Sequence, residues 1–206
     1  MSCRQTRHIS VAILAGGRNS RFNGQPKALI PWKGKPLIQY YLLQLQKYTD
    51  DLFVISNEPE QLFPFTKKVF PDQIAGRGPL SGIHAAVTRA VHPHVLVVAC
   101  DMPFLPVALI PHLTAQTDKN PDRVIIPVHE KKTEPLFALW PSNLAGKLEY
   151  WLNRNNDLKI LRFVDENAVG FYFDARALLH GDYLFFNINT PDDLRLARSM
   201  AVDRMA

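Results

Sequence analysis

The chain has 206 residues, of which 47% are hydrophobic and 21% charged, and its formal net charge is +5. These values are typical of a globular protein, and a chain of this length buries enough surface to be stable without disulfides. Its longest apolar stretches, about seven residues, are far shorter than the roughly 20 that a membrane helix needs. We therefore expect no membrane as a partner. Because the lysines and arginines are scattered and not clustered with aromatic residues between them, we expect no nucleic acid as a partner either.

The apolar pattern alternates between short runs typical of strands and longer segments with helical spacing. In chain order, it predicts a strand at 9–15, a helix at 36–48, strands at 52–56 and 68–70, a helix at 78–91, a strand at 95–100, a helix near 106–115, strands at 124–128 and 135–140, a helix at 143–153, strands at 170–174 and 185–188, and a terminal helix opening at Thr190. This alternation favours a single α/β domain over residues 1–206, with a doubly wound, mostly parallel, Rossmann-like sheet.

The two cysteines give little support for a disulfide framework. Cys3 lies in a polar segment and Cys100 ends an apolar run, where a small core residue is expected. Residues 1–8 lack the apolar core of a signal peptide and are expected to form a flexible tail. The sequence therefore predicts a reducing, cytoplasmic location.

A glycine-rich run, LAGGRNSRFNGQPK at residues 14–27, directly follows the first predicted strand. Glycines let backbone N–H groups approach phosphate oxygens closely, and Arg21 and Lys27 supply cations for the same oxygens. The dinucleotide fingerprint is excluded because Arg21 occupies the place of its third glycine, and no G-K-[ST] tripeptide of a P-loop follows Gly17. The alternative is a glycine-rich surface turn.

A carboxylate, Asp101, comes directly after the buried strand predicted at 95–100 and is followed by Pro103. A charge in such a place is costly unless it binds something. Mg²⁺ prefers one or two carboxylates together with phosphate oxygens and water. We therefore predict that Asp101 is a Mg²⁺ ligand; the alternative is the N-cap of a following helix.

Three segments in this order resemble the molybdenum cofactor guanylyltransferase family. They are the run at 14–27, compared with L-A-G-G-x-x-x-R-[MF]-G-x-x-K, the C-D-M-P segment around Asp101, and the N-I-N-T-P segment at 187–191. The resemblance extends from Val11 to about Leu196. It implies the nucleotide-diphospho-sugar transferase type of fold. The paired glycines Gly16 and Gly17 favour the guanylyltransferases over the cytidylyltransferases, whose motif usually opens with L-A-A-G. The segment Gln25-Pro26-Lys27 departs from the Asp-Lys pair that is common in guanylyltransferases.

The resemblance also implies roles for individual residues. Arg21, Lys27 and Asp101 would be catalytic. Nucleotide contacts would come from Leu14, Ala15, Gly16, Gly17, Lys27, Asn57, Asp72 and Asp101. Contacts to a pterin substrate would come from Gly82, Asn187 and Asn189. Asp192 and Asp193 are expected instead to serve the first turn of the terminal helix.

The reaction implied is transfer of GMP from GTP to the terminal phosphate of molybdopterin, with or without molybdenum, and release of pyrophosphate. Molybdoenzymes or their chaperones would be the partner proteins. Three alternatives stay open: a molybdopterin cytidylyltransferase, a sugar-phosphate nucleotidyltransferase of the same fold, and a non-catalytic nucleotide-binding adaptor. Asn187 and Asn189 argue against the sugar enzymes, which usually carry a second metal-binding aspartate in that segment.

Overall fold

A computed structural model describes residues 8–16, 26–130, 132–155, 157–167, 169–178 and 183–202. Its strands are β1 (Ser10–Leu14), β2 (Pro31–Trp32), β3 (Lys35–Pro36), β4 (Asp51–Ile55), β5 (Val69–Phe70), β6 (His94–Ala99), β7 (Val124–His129), β8 (Lys132–Thr133), β9 (Phe137–Pro141) and β10 (Gly170–Asp174). Its α-helices are α1 (Leu37–Leu45), α2 (Pro79–Arg89), α3 (Ile110–Thr114), α4 (Ala145–Arg154), α5 (Ile160–Glu166) and α6 (Pro191–Val202).

One sheet organises the chain. Its strands follow the order β10-β7-β9-β6-β1-β4-β5, and β8 pairs with β7. The strands β1, β4, β5 and β6 are parallel, as are β7 and β10. β9 is antiparallel to both β6 and β7. The prediction of a mostly parallel sheet is therefore confirmed, with β9 as an inserted strand of opposite direction.

Helices cover both faces of this sheet, as a doubly wound fold requires. Along β6, Leu96 and Val98 belong to the cluster that also holds residues of α1, α3 and α6. Val95 and Val97 face the opposite cluster, formed with α2, α4 and α5. Because successive strand side chains point to opposite faces, a strand covered on both sides is apolar throughout, and every residue of β6 is buried.

The predicted strand at 185–188 is wrong. This segment is irregular, and Phe185 adopts a left-handed conformation with φ 65°, which a strand does not accommodate. Phe185 and Ile188 are nevertheless buried, at 7% and 1% exposure. Their apolar character therefore reflects packing of a loop against the core rather than strand pairing.

Several short elements, β8 among them, were not predicted. A hairpin joins β2 to β3 through Lys33 and Gly34, both with positive φ, as a two-residue turn of the primed type requires. Helix α5, of seven residues, was also not predicted. The predicted helices that correspond to α1, α2, α3, α4 and α6 are confirmed with shifted ends. No helix in the described ranges is long and apolar enough to cross a membrane.

Candidate active site

The carboxyl ends of three neighbouring strands meet at one edge of the sheet. The Ala15 N–H donates to Ile55 O at 2.9 Å, and the Cys100 N–H donates to Leu14 O at 3.0 Å. These bonds extend the pairing of β1, β4 and β6 to the last residues before the loops. Ligands of open α/β sheets bind beyond such ends. The predicted residues Leu14, Ala15, Gly16, Asn57 and Asp101 therefore share this edge.

Lys27 connects three distant parts of the chain. Its Nζ donates to Asn189 Oδ1 at 2.8 Å and lies 3.4 Å from Asp101 Oδ2. Pro26 precedes a single turn of 3₁₀ helix at Lys27–Leu29, in which Ala28 is buried. This anchoring directs the lysine towards the sheet edge. The structure thus brings together a predicted catalytic cation, the predicted metal ligand and a predicted pterin contact.

The carboxylate of Asp101 is placed where a cation would stabilise it. Burial raises its pKa, and the Lys27 ammonium lowers it only in part. Oδ1 is buried and makes no hydrogen bond to any residue that the structure describes. The next helical residues begin at Val107, so the alternative of an N-cap at Asp101 is wrong.

The turn that carries Asp101 is fixed by the buried hydroxyl of Tyr41. This oxygen accepts from the Met102 N–H at 2.9 Å. It also lies 2.9 Å from Ala99 O and 2.8 Å from Met102 O, either of which accepts its single hydrogen. Cys100 in the same turn is buried, and burial raises the pKa of its thiol, so the prediction of a core cysteine rather than a nucleophile agrees with its environment. Tyr41 was missed because helical spacing alone marks it only as a core residue.

Asn57 and Asp72 form a pair at the far side of the same edge. Asn57 Nδ2 donates to Asp72 Oδ2 at 3.0 Å, and the Asp72 N–H donates to Asn57 Oδ1 at 2.9 Å. Burial raises the pKa of Asp72, and the hydrogen bond from Asn57 opposes that effect. The two predicted nucleotide contacts are therefore adjacent and fix each other's orientation.

Gly82 lies within α2 and is buried against β1. A Cβ built at this position would lie 3.2–3.3 Å from the two methyl carbons of Leu14. The absence of a side chain lets α2 approach the end of β1 closely. The described contact of Gly82 is thus with Leu14, and its predicted contact with the substrate stays a prediction.

The segment at 187–193 lies against the Asp101 turn. The Ile188 N–H donates to Asp101 O at 2.7 Å. Asp193 Oδ2 accepts from the N–H groups of Asn189 and Thr190 at 2.9 and 2.8 Å, and the Asp193 N–H donates to Thr190 Oγ1 at 3.2 Å. This reciprocal cap of α6 confirms the helix role expected for Asp193 and holds Asn189 beside Lys27.

Two predicted residues, Gly17 and Arg21, lie outside the described residues. Two others were missed by sequence reasoning: His129, at the end of β7, and Glu134, which follows β8. Burial raises the pKa of Glu134 to about 7; the positive charge of Lys132 lowers it, and the negative charge of Asp101 raises it further. Glu134 directly precedes the strand predicted at 135–140, and nothing in that pattern indicated a functional role.

A parallel sheet edge that carries a lysine and a half-buried aspartate, after a strand that leads into a glycine-rich segment, is typical of a nucleotidyltransferase of the nucleotide-diphospho-sugar transferase fold. The sequence model of the MobA-like NTP transferase domain matches residues 11–169. The chain therefore belongs to the MobA-like NTP transferase family.

Named relatives agree with this assignment. The molybdenum cofactor guanylyltransferase of Rhizobium johnstonii is 35% identical over 196 residues, covering 91% of this chain and 90% of its own. That of Pseudomonas fluorescens is 31% identical over 187 residues, covering 89% and 90%.

Solved structures show the same architecture. Molybdopterin-guanine dinucleotide biosynthesis protein A from Archaeoglobus fulgidus superposes with a TM-score of 0.80 at 30% identity, covering 95% of this chain and all of that one. A CMP:2-keto-3-deoxy-manno-octonic acid synthetase in complex with CTP gives a TM-score of 0.71 at 12% identity, covering 95% and 99%, which supports the fold alone.

Proposed function

We propose that this chain transfers GMP from GTP to the terminal phosphate of molybdopterin and releases pyrophosphate. The observation that carries the proposal is the cluster of Lys27, Asp101 and Asn189 at the carboxyl edge of the sheet. Lys27 is the cation for the triphosphate and Asp101 the carboxylate for the metal. Asn189 is a neutral amide in the segment that resembles the pterin-binding segment of the family. The relatives named as guanylyltransferases support the choice of nucleotide and acceptor.

In this reaction an oxygen of the acceptor phosphate attacks the α-phosphorus of GTP in line. The new P–O bond forms as the bond to the β-phosphate oxygen breaks, and the electron pair leaves with pyrophosphate. A phosphate monoester is largely ionised at neutral pH, so the attack needs no general base. Lys27 neutralises charge that develops on the triphosphate, together with Arg21, and the amides of Gly16 and Gly17 hold the phosphates. Positioning and electrostatics then supply most of the catalysis.

Mg²⁺ fits the residues at Asp101. Among the described residues no group of three or more His, Cys, Asp or Glu could hold a metal alone. Mg²⁺ usually takes one or two carboxylates and completes its shell with water and substrate phosphates. The unpartnered Oδ1 of Asp101 would supply that carboxylate. When bound, the ion would stabilise negative charge on the phosphate oxygens.

The nucleotide would lie over β1, β4 and β5, with Leu14, Asn57 and Asp72 as its contacts. The acceptor would approach from the side of Asn187 and Asn189, across Asp101 from the base. The expected location is the cytoplasm, and the expected partner proteins are molybdoenzymes or chaperones that receive the product.

The first test is calorimetry of the purified chain with GTP, CTP, ATP and UTP in the presence of Mg²⁺, followed by transfer to molybdopterin. Preference for GTP and formation of the guanine dinucleotide would support the proposal. Preference for CTP would replace it with the cytidylyl reaction on the same site. Nucleotide binding without transfer of any of the four would support an adaptor.

The role of Asp101 is tested separately with Asp101→Asn. We expect a folded protein whose turnover falls by at least about 100-fold, because the charge that binds the metal is lost. Asp118→Asn, which changes an aspartate in the segment that follows α3 away from the site, is the matched control. Full activity of Asp101→Asn would contradict the metal assignment.

A further inference from the structure

A cleft of about 210 Å³ lies beside Asn187, on the opposite side of Asp101 from Asn57 and Asp72. Its lining residues include His129, Glu130, Glu134, Phe185 and Asn187. Pockets for drug-sized ligands are about 300–1,000 Å³. The cleft is therefore too small for a whole nucleotide and suits one fused ring.

Polar groups in this cleft have no partner among the residues that the structure describes. His129 is 9% exposed, and neither of its ring nitrogens makes a hydrogen bond there. Such buried groups normally find partners, so two unpaired nitrogens at a cleft mark a place where a polar ligand can bind. An imidazole in any protonation state keeps at least one N–H, so His129 can donate to a carbonyl oxygen.

Glu134 gives the cleft an acceptor. Its backbone N–H donates to Pro127 O at 3.1 Å, which fixes the residue beside the end of β7. Within the described ranges its carboxylate forms no salt bridge, although Lys132 and Asp101 influence it electrostatically. A half-buried carboxylate is stabilised most by a ligand that donates hydrogen bonds from two adjacent N–H groups.

The walls of the cleft are aromatic and strained. The ring of Phe185 lies 6.4 Å from the ring of His129 and 5.9 Å from that of Phe137. Phe185 and Glu130 both have positive φ, at 65° and 48°. Left-handed backbone at non-glycine residues costs free energy and clusters at ligand sites. Glu130 lies in the tight hairpin between β7 and β8, where a positive φ is required by the turn, so of the two only Phe185 lacks that explanation.

We infer that this cleft binds the fused heteroaromatic ring of the acceptor, with Glu134 accepting from its amino and ring N–H groups and His129 donating to its oxo group. This inference rests on the proposed function. A pterin has the required edge, an amino group and ring N–H beside a carbonyl. Guanine has the same edge, but the base contacts expected for GTP lie across Asp101. Glu134 and His129 thereby determine which acceptor is used.

The test compares pterin with lumazine, in which an oxo group replaces the amino group on the same bicyclic ring. Binding of each ring to the full-length chain is followed by fluorescence, and the KM values for molybdopterin and GTP are measured in the transfer assay. We expect Glu134→Gln to raise the acceptor KM about tenfold or more, to leave the GTP KM unchanged, and to remove the preference for pterin over lumazine. Glu60→Gln, at an exposed glutamate, is the matched control.

His129→Phe provides a second variant of similar shape, and circular dichroism reports whether each variant is folded. An unchanged acceptor KM in both folded variants would overturn the inference and leave the GMP transfer intact. A rise in the GTP KM alone would overturn it by assigning the cleft to guanine. A chain that prefers pterin to lumazine through Glu134 but does not transfer GMP would support ring binding in the cleft. It would contradict the proposed transfer of GMP from GTP.

Discussion

Tyr41 and Met102 are joined in both directions: the Met102 N–H donates to the Tyr41 hydroxyl at 2.9 Å, and Met102 O lies 2.8 Å from the same oxygen. The bond crosses from the middle of α1 to the turn after β6. It therefore couples the packing of a helix to the position of Asp101.

Removal of this hydroxyl should destabilise the protein. We expect Tyr41→Phe to lower the free energy of unfolding by about 1–3 kcal/mol, because the buried Met102 N–H loses its acceptor. Urea denaturation measures the change. Tyr40→Phe is the control, since the Tyr40 hydroxyl makes no hydrogen bond to any described residue and Tyr40 is only half-buried. Equal losses of stability in the two variants would show that the hydrogen bond between Tyr41 and Met102 does not stabilise the turn.

The hydrogen bond between Lys27 and Asn189 predicts a kinetic effect of a residue that need not touch the nucleotide. Asn189→Ala removes the oxygen that orients the Lys27 ammonium at 2.8 Å, so we expect kcat to fall about tenfold with little loss of stability. Steady-state kinetics and thermal unfolding test both parts. Asn153→Ala, at an exposed position on α4, should change neither; an unaltered kcat in Asn189→Ala would show that Lys27 is oriented without it.

Two helical glycines should respond to alanine in opposite ways. In Gly82→Ala the new Cβ would press on Leu14 at 3.2–3.3 Å, so we expect a displaced end of β1 and a GTP KM raised several-fold, on the order of 1 kcal/mol. Gly146 in α4 has no atom within 4 Å of such a Cβ. Gly146→Ala should therefore stabilise the protein by up to about 1 kcal/mol, with unchanged kinetics. A GTP KM in Gly82→Ala equal to that of the parent would refute the packing argument.

The raised pKa of Glu134 predicts a pH-dependent stability difference. In the unfolded chain this group loses its proton near its ordinary pKa of 4.5, but in the folded chain only near 7. The folded state thus binds more protons between these values, and the contribution of Glu134 to stability falls as pH rises through that window.

Glu134→Gln should therefore match the parent below pH 4.5 and become more stable than it as the pH rises to about 7, with a plateau of about 1–3 kcal/mol above. The charges that face this group, Lys132 and Asp101, act in opposite directions on the Glu134 carboxylate and not on a neutral glutamine, so their net effect is part of the pH-dependent difference. Urea unfolding at several pH values is the measurement, with Glu60→Gln as the control. A difference that is constant with pH would exclude desolvation of Glu134.

The sheet and most helices could be predicted because local patterns determine them. The continuous apolar run of β6 and the Thr190–Asp193 cap of α6 are examples. The direction of β9 could not be predicted, because side chains alternate in the same way along parallel and antiparallel strands. The segment at 185–188 was misread as a strand because buried loop residues and buried strand residues have the same apolar composition.

For the site, motif order placed Lys27, Asp101 and Asn189 in one family pattern, and the fold places them together. Tyr41, His129 and Glu134 carried no such signal. Each belongs to a segment that looks like ordinary core or strand, and its importance arises only from neighbours that are distant in the chain. The residues that belong to motifs could therefore be predicted from the sequence. The residues that only tertiary packing brings to the carboxyl edge of the sheet could not.

The reach of Lys27 to Asn189 also sets the order in which the site can form on the ribosome. The two residues are 162 positions apart. At about 5–20 residues per second, the lysine is made roughly 8–32 seconds before its amide partner. The strands that would hold the nucleotide can pair during that interval, whereas the acceptor side waits for the last helix. The acceptor side of the site is therefore the last part of it that synthesis can complete.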